Sequence, residues 1–232
     1  MTTRLRAGCN AVVVAIGILV AFPIVPVAER VRRGAGRAVV IGATRVISRL
    51  CGIRYVVKGA TRLDAATSYV LVPNHSSPLD IPAVLMAWPS ARFVAAAELF
   101  RIPLLGGTMR ALGSVPVDRR RPAEAQRAVE RAAEGARDLV VFAEGGIPAV
   151  GESRRFKTGA FVLAIAAGAD VVPVSITGSA VVLPRGHRFA VRPGTVRIEL
   201  HSPISTSGCT TADRKALRDR TESTVRAALA TT

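Results

Sequence analysis

His75 and Asp80 stand with four residues between them in the stretch Asn74-His75-Ser76-Ser77-Pro78-Leu79-Asp80. A carboxylate at that spacing can fold back onto one imidazole nitrogen and leave the other free to take a proton. Such a pair is a general base with its orienting group. No activated serine accompanies it, so the nucleophile has to come from a substrate.

The elements around this stretch have to hold the two side chains together. The apolar run at 68–72 reads as a buried strand that Pro73 ends. Pro78 and Pro82 suit the first turn of a helix, where the missing N–H would have no intrahelical partner. The spacing predicts that helix over 81–87. His75 then lies in a strand-to-helix loop, with Asp80 near the helix N-terminus.

Further along, short apolar runs alternate with helical patterns. Strands are expected at 53–58, 68–72, 92–95, 114–118, 139–143, 171–176 and 196–201. Helices are expected at 81–87, 103–112, 122–137, 158–167 and 211–230. The alternation predicts an α/β fold, a layered mixed sheet flanked by helices, with the chemistry at strand ends. The tract at 122–137 reads as a solvated amphipathic helix without a functional role. Gly34-Ala35-Gly36 half-matches a dinucleotide-binding loop but lacks the third glycine and a preceding strand. No G-x-S-x-G elbow is present, which removes the usual serine hydrolase.

With 232 residues the chain is long enough for one sizeable core. Its mean hydropathy of +0.35 is high for a freely soluble enzyme. Part of the excess is local, because residues 11–28 carry no charge and a bilayer span needs about 20 such residues. Pro23 and Pro26 are expected to kink or stop a helix there, which leaves a re-entrant segment and a full span both open. A cleaved signal peptide competes, since Arg4 and Arg6 precede the run. The length of the run, the lack of a clean small-x-small site and the basic cluster Arg30, Arg32, Arg33 and Arg37 speak against it. That cluster outweighs the first two arginines and predicts that the bulk of the protein stays on the cytoplasmic side of the cell membrane. In a second apolar piece, Arg45 and Arg49 share one helical face. This fits an interfacial helix, and equally a core helix with one wet face.

A net charge of +16, nearly all of it arginine, suits anionic lipid headgroups or acidic substrates. Nucleic acid is the weaker partner: aromatics are 4% and the arginines are scattered, with no recognition helix or stacking platform. Cys9, Cys51 and Cys209 are widely spaced and fit a reducing compartment. His75, His187 and His201 are too dispersed for a zinc site, so no metal is expected.

Three later loops belong with the first. Gly113 to Arg119 closes a short strand with an arginine. Phe142-Ala143-Glu144-Gly145-Gly146 ends a buried strand in a carboxylate and two glycines. Phe156-Lys157-Thr158-Gly159 opens a helix, and Pro173 sits within a strand. In this order after His75 and Asp80, they resemble the glycerolipid acyltransferase family over roughly residues 50–205. His75 and Asp80 match its H-x4-D, Gly113 and Arg119 its G-x5-R, and Phe142, Glu144 and Gly145 its F-x-E-G. Pro173 sits in its fourth block.

The resemblance implies a membrane-associated helical segment at 1–50 and an α/β acyltransferase domain at 51–232. It implies transfer of a fatty acyl group from a coenzyme A or acyl carrier protein thioester to a glycerolipid hydroxyl, with no further cofactor. His75 and Asp80 are then catalytic. Arg119 is expected at an anionic headgroup or donor phosphate, and Glu144 at the acceptor's hydroxyls or an arginine. Gly145 and Gly146 would let backbone N–H groups approach an anion, and Asn74 and Lys157 join the substrate-binding set. Two positions depart from the family. Ile147 replaces an arginine offered to phosphate, and Ala96 replaces a lysine. A shifted acceptor is therefore expected, unless Arg154, Arg155 or Lys157 substitutes.

Overall fold

The computed structural model describes residues 3–64, 67–118, 120, 121, 124, 127, 128, 138–149, 152–184, 186 and 191–231. Seven strands form one sheet: β1 (Ile53–Lys58), β2 (Tyr69–Pro73), β3 (Arg92–Ala96), β4 (Val115–Val117), β5 (Asp138–Val140), β6 (Asp170–Thr177) and β7 (Gly194–Leu200). Their order across the sheet is β1-β7-β6-β2-β5-β3-β4. All neighbours run parallel except β6 and β7. The sheet is therefore mixed, as expected. Parallel strands need crossovers, which here carry α3 (Asp80–Ala87), α4 (Leu105–Ala111) and α5 (Gly159–Ala166). A short α6 (Ser179–Val182) follows β6, and α7 (Arg214–Ala230) is the last element.

β2 sits at the centre and is buried along its whole length. A strand covered on both faces reads as a continuous apolar run instead of an alternating one. Leu71, Val172, Val174 and Ile176 pack with α3 on one face. Val70, Val72 and Val171 pack on the other against Phe161, Leu217 and Val225 of α5 and α7. Since β2 and β5 are parallel neighbours, the loops after Pro73 and after Val140 leave the sheet on the same edge. Ligand sites of open α/β sheets lie at that edge.

Two helices precede the sheet, α1 (Thr3–Val31) and α2 (Ala35–Cys51). Of the two outcomes expected of Pro23 and Pro26, a kink or a stop, the stop is corrected, because α1 runs through both to Val31. Pro26 has no N–H to offer the carbonyl of Phe22 four residues back. The Thr108 hydroxyl of α4, whose one proton is shared with the Leu104 carbonyl at 3.0 Å, reaches that carbonyl at 3.3 Å. The helix thus continues where a neighbour supplies the lost donor. The glycine pair after α1 is a helix-to-helix turn: the Glu29 carboxylate accepts from the N–H groups of Gly34 and Gly36 at 2.9 and 3.0 Å. Gly36 is required there, since a Cβ would lie 2.8 Å from the Val25 carbonyl oxygen.

α1 is long and apolar enough to cross a membrane over Arg6–Val31, and 17% of its most apolar window is buried. Both of its halves are fastened to the rest of the protein. Asn10 donates to the carbonyls of Cys51 and Val191 at 3.1 and 3.2 Å, and Phe22 is held by Thr108. In α2, Arg45 and Arg49 are exposed beside exposed Val46 and Leu50, while Ser48 and Cys51 face inward. Arg37 ties α2 down through the carbonyls of Pro89, Ala91 and Leu112 at 2.6–2.8 Å.

Candidate active site

The loop after β2 begins with a clamp. Asn74 is buried; its amide donates to the Ile176 carbonyl at 3.0 Å and its carbonyl accepts from the Ile176 N–H at 2.7 Å. Both polar ends of this side chain are spent joining β2 to β6, so Asn74 fixes where the loop starts.

His75 follows, and its Nδ1 lies 2.9 Å from Asp80 Oδ2. Asp80 is the first residue of α3 and has no exposed surface. Its Oδ2 also accepts the backbone N–H groups of Ser76 and Ser77, at 2.6 and 2.8 Å. The four residues between histidine and aspartate wrap the carboxylate they precede, and the helix N-terminus adds favourable dipole charge. A carboxylate held this way fixes the Nδ1–H tautomer and leaves Nε2 as the basic nitrogen. The serines are pinned in turn to α6 and its exit, Ser76 Oγ lying 3.0 Å from Ser179 Oγ and Ser77 Oγ donating to Leu183 at 2.8 Å.

The loop after β5 forms the second wall. The sequence predicts a strand at 139–143, but pairing stops at Val140. Phe142 turns away to stack on the His75 ring, with centroids 4.0 Å apart. Glu144 then points back under His75: its Oε1 accepts the His75 N–H at 3.2 Å, while Oε2 is buried without a hydrogen-bond partner. Burial is the main cause that pushes the Glu144 carboxyl above its ordinary pKa, and the Asp80 charge adds to it; the His75 N–H, the His75 charge and Arg226 pull the other way. Gly145 has φ 79°, and a Cβ there would lie 2.9 Å from the Lys157 ammonium. Gly146, at φ 146°, lies at the edge of a cavity.

That cavity holds about 460 Å³. His75, Phe142 and Gly146 form its floor, and its walls come from α1, α2, α3, β3 and α4. The lining is apolar apart from a few groups such as Tyr55 and Ser48. Sequence reasoning did not find it, although residues such as Val40, Ala43, Thr44 and Ile47 in α2 keep helical spacing. Ile18, Ile81 and Leu99 line the cavity and are also 43%, 42% and 39% exposed, so they mark its mouth.

The structure thus brings His75, Asp80, Glu144, Gly145, Gly146 and Lys157 together. Arg119 lies outside the described residues, as do His187 and most of the expected helix at 122–137. Ala96, where the resemblance suggests a lysine, lines the cavity as a plain apolar wall. His201 stands apart, with its Nε2 3.0 Å from the Ser175 hydroxyl.

The family model described as Acyltransferase matches residues 54–177. A chloroplastic 1-acyl-sn-glycerol-3-phosphate acyltransferase of Brassica napus is 31% identical over 217 residues, covering 88% of this chain and 62% of that protein. One of Arabidopsis thaliana is 33% identical over 153 residues, covering 64% of this chain and 43% of that protein. The chain thus spans less than two thirds of the length of these relatives. In fold it is similar to the crystal structure of the 1-acyl-sn-glycerophosphate acyltransferase PlsC from Thermotoga maritima. The TM-score is 0.83 and the identity 24%, over 98% of this chain and 96% of that one.

Proposed function

The chain belongs to the acyltransferase family, and we propose that it moves a fatty acyl group from a thioester, of coenzyme A or of acyl carrier protein, to a glycerolipid hydroxyl. The acceptor is 1-acylglycerol-3-phosphate, the substrate in its relatives' names. One observation carries this reading: His75 Nδ1 is held 2.9 Å from a fully buried carboxylate while the same ring lines the cavity. A lipid-binding module without turnover has no use for an imidazole oriented in this way.

The acceptor hydroxyl gives its proton to His75 Nε2 as its oxygen attacks the thioester carbonyl. Removing a poor nucleophile's proton in this way is worth about 10²–10⁴-fold. Asp80 stabilises the imidazolium that forms. When the tetrahedral intermediate collapses, the carbon–sulfur bond breaks and the imidazolium returns the proton to the departing thiolate. The fatty chain occupies the cavity. Glu144 Oε2, buried and unpartnered, accepts a hydrogen bond from the acceptor. Lys157 beside Gly145 holds the phosphate, in place of the cations missing at Ile147 and Ala96.

The cavity mouth gives the membrane reading its support. Ile18, Ile81 and Leu99 mark that mouth, and Leu19 and Ile24 of α1 and Ile102 and Leu104 before α4 are exposed apolar side chains as well. Because α1 is fastened to the domain at Asn10 and again at Phe22, it lies along the protein, with its apolar side in one leaflet of the cell membrane. The catalytic domain is on the cytoplasmic face, where anionic headgroups meet the net positive charge.

The test is thiol release from an acyl-coenzyme A by the purified protein on vesicles. Lysophosphatidate, lysophosphatidylglycerol and monoacylglycerol are offered in turn. Fastest release with lysophosphatidate is expected. Faster release with another acceptor would overturn the assignment, and release with none would overturn the enzyme itself.

A further inference from the structure

We propose that the C-terminal helix α7 sets the grip on the acceptor's phosphate, with Glu222 and Arg226 as positioning residues for Lys157. This rests on the acceptor reading above and adds the part of the molecule that tunes it.

The segment 152–157 crosses from the active-site turn to α5, and every residue in it but Phe156 is exposed. On one side the Lys157 N–H donates to the Ala143 carbonyl at 2.9 Å, directly before Glu144. On the other side α7 takes hold of it. Glu222, 8% exposed, accepts the Phe156 N–H on Oε2 at 3.2 Å. Its Oε1 accepts from Arg226 Nε at 2.8 Å. Arg226 also donates to the Arg154 carbonyl at 3.2 Å and to the Ser153 hydroxyl. One turn back, Asp219 pairs with Arg155 at 3.1 Å and with Arg218 at 2.8 Å.

These contacts spend most of the charges on structure. Arg155, Arg218 and Arg226 are all paired with α7 carboxylates. Among the described residues, the Arg154 guanidinium and the Lys157 ammonium have no ion-pair partner. Lys157 is the one that leans over Gly145, a position whose left-handed φ and lack of a side chain make room for it. The latch therefore fixes the backbone on both sides of Arg154 and leaves the uncommitted cations to meet an anion. The positive charge of Arg226 is also felt at Glu144, which places α7 within electrostatic reach of the acceptor site. A lysine on a free loop would lose rotamer and backbone entropy on every binding event. Holding its neighbour in advance removes part of that cost.

A positioning role predicts a change in KM with little change in kcat. Arg226→Ala should raise the KM for lysophosphatidate on vesicles about tenfold and leave kcat within about twofold, with Arg226→Lys recovering most of the loss. In a Lys157→Ala background the same substitution should add almost nothing, because its effect passes through that lysine. With monoacylglycerol, which has no phosphate, KM should not move. An unchanged KM overturns the proposal, and so does a full tenfold effect in the Lys157→Ala background. Should Arg226→Ala fail to fold, Glu222→Gln and Ser153→Ala weaken the latch more gently and are read in the same way. A wild-type enzyme that ignores lysophosphatidate overturns the acceptor reading itself; insensitivity to the latch in an active enzyme overturns this inference alone.

Discussion

Around His75 the polar contacts come from its own loop, from Glu144 and from the segment that runs from Ile176 to Leu183, whereas the cavity on the other side of the same ring draws on α1, α2, α3, β3 and α4. Asp80, Ser76 and Ser77 are within five positions of the histidine, and Glu144 arrives in the loop after the adjacent parallel strand. Val14 and Leu112, by contrast, line the same cavity from positions 98 residues apart in the chain. The proton-handling groups are fixed by hydrogen bonds, those on Asp80 from its own loop and the rest anchoring that loop to Ile176, Ser179 and Leu183, and the shape that meets the fatty chain is fixed by apolar packing of distant segments. The two should therefore fail separately when changed.

The largest separation is expected from Asp80→Asn. It removes the carboxylate that selects the Nδ1–H tautomer and should lower kcat by about 10²-fold or more, with acyl chain preference unchanged in a competition between donors of different length. A shift in preference would show that the two regions are coupled. The complementary change is Ala43→Leu in α2, which fills part of the cavity. Each methylene of substrate that it displaces costs about 0.8 kcal/mol, or about fourfold. Product analysis should then show a preference two or three carbons shorter at nearly unchanged kcat for short donors.

A smaller effect sharpens the account of how the cavity wall is held. Thr108→Ala leaves the Phe22 carbonyl without its donor at the proline-interrupted turn and should cost about 1 kcal/mol of stability by urea unfolding. The smallest concerns Glu144. Its pKa is raised in the folded protein, chiefly by burial. Above its unfolded value of about 4.5 the native state therefore holds more protons than the unfolded one. Stability then falls as pH rises toward the raised value. Glu144→Gln should remove that fall, so that the wild-type-minus-variant difference in urea midpoints declines as pH rises through that window.

The same contrast explains what could be read from the sequence. β1 was legible at both ends, and the strand and helix around His75 to within a residue, because alternation and proline placement are local signals. β5 came out shorter than its apolar run, since Phe142 leaves the sheet to stack on a ring that is 67 positions away in sequence. Proline placement did not mark a stop in α1, where a donor to the Phe22 carbonyl sits on α4. The spacing of His75 and Asp80 pointed to their pairing. Nothing local announced that Asn74 would be spent on Ile176, or that α7 would reach the loop beside the site.

The central claim is that His75 Nε2 takes the acceptor's proton. It is tested most directly by the rate of thiol release from an acyl-coenzyme A with lysophosphatidate, comparing wild type with His75→Ala at matched folded protein. A loss of about 10²–10⁴-fold is predicted, with the melting temperature and vesicle binding retained. Turnover within a few-fold of wild type would contradict it.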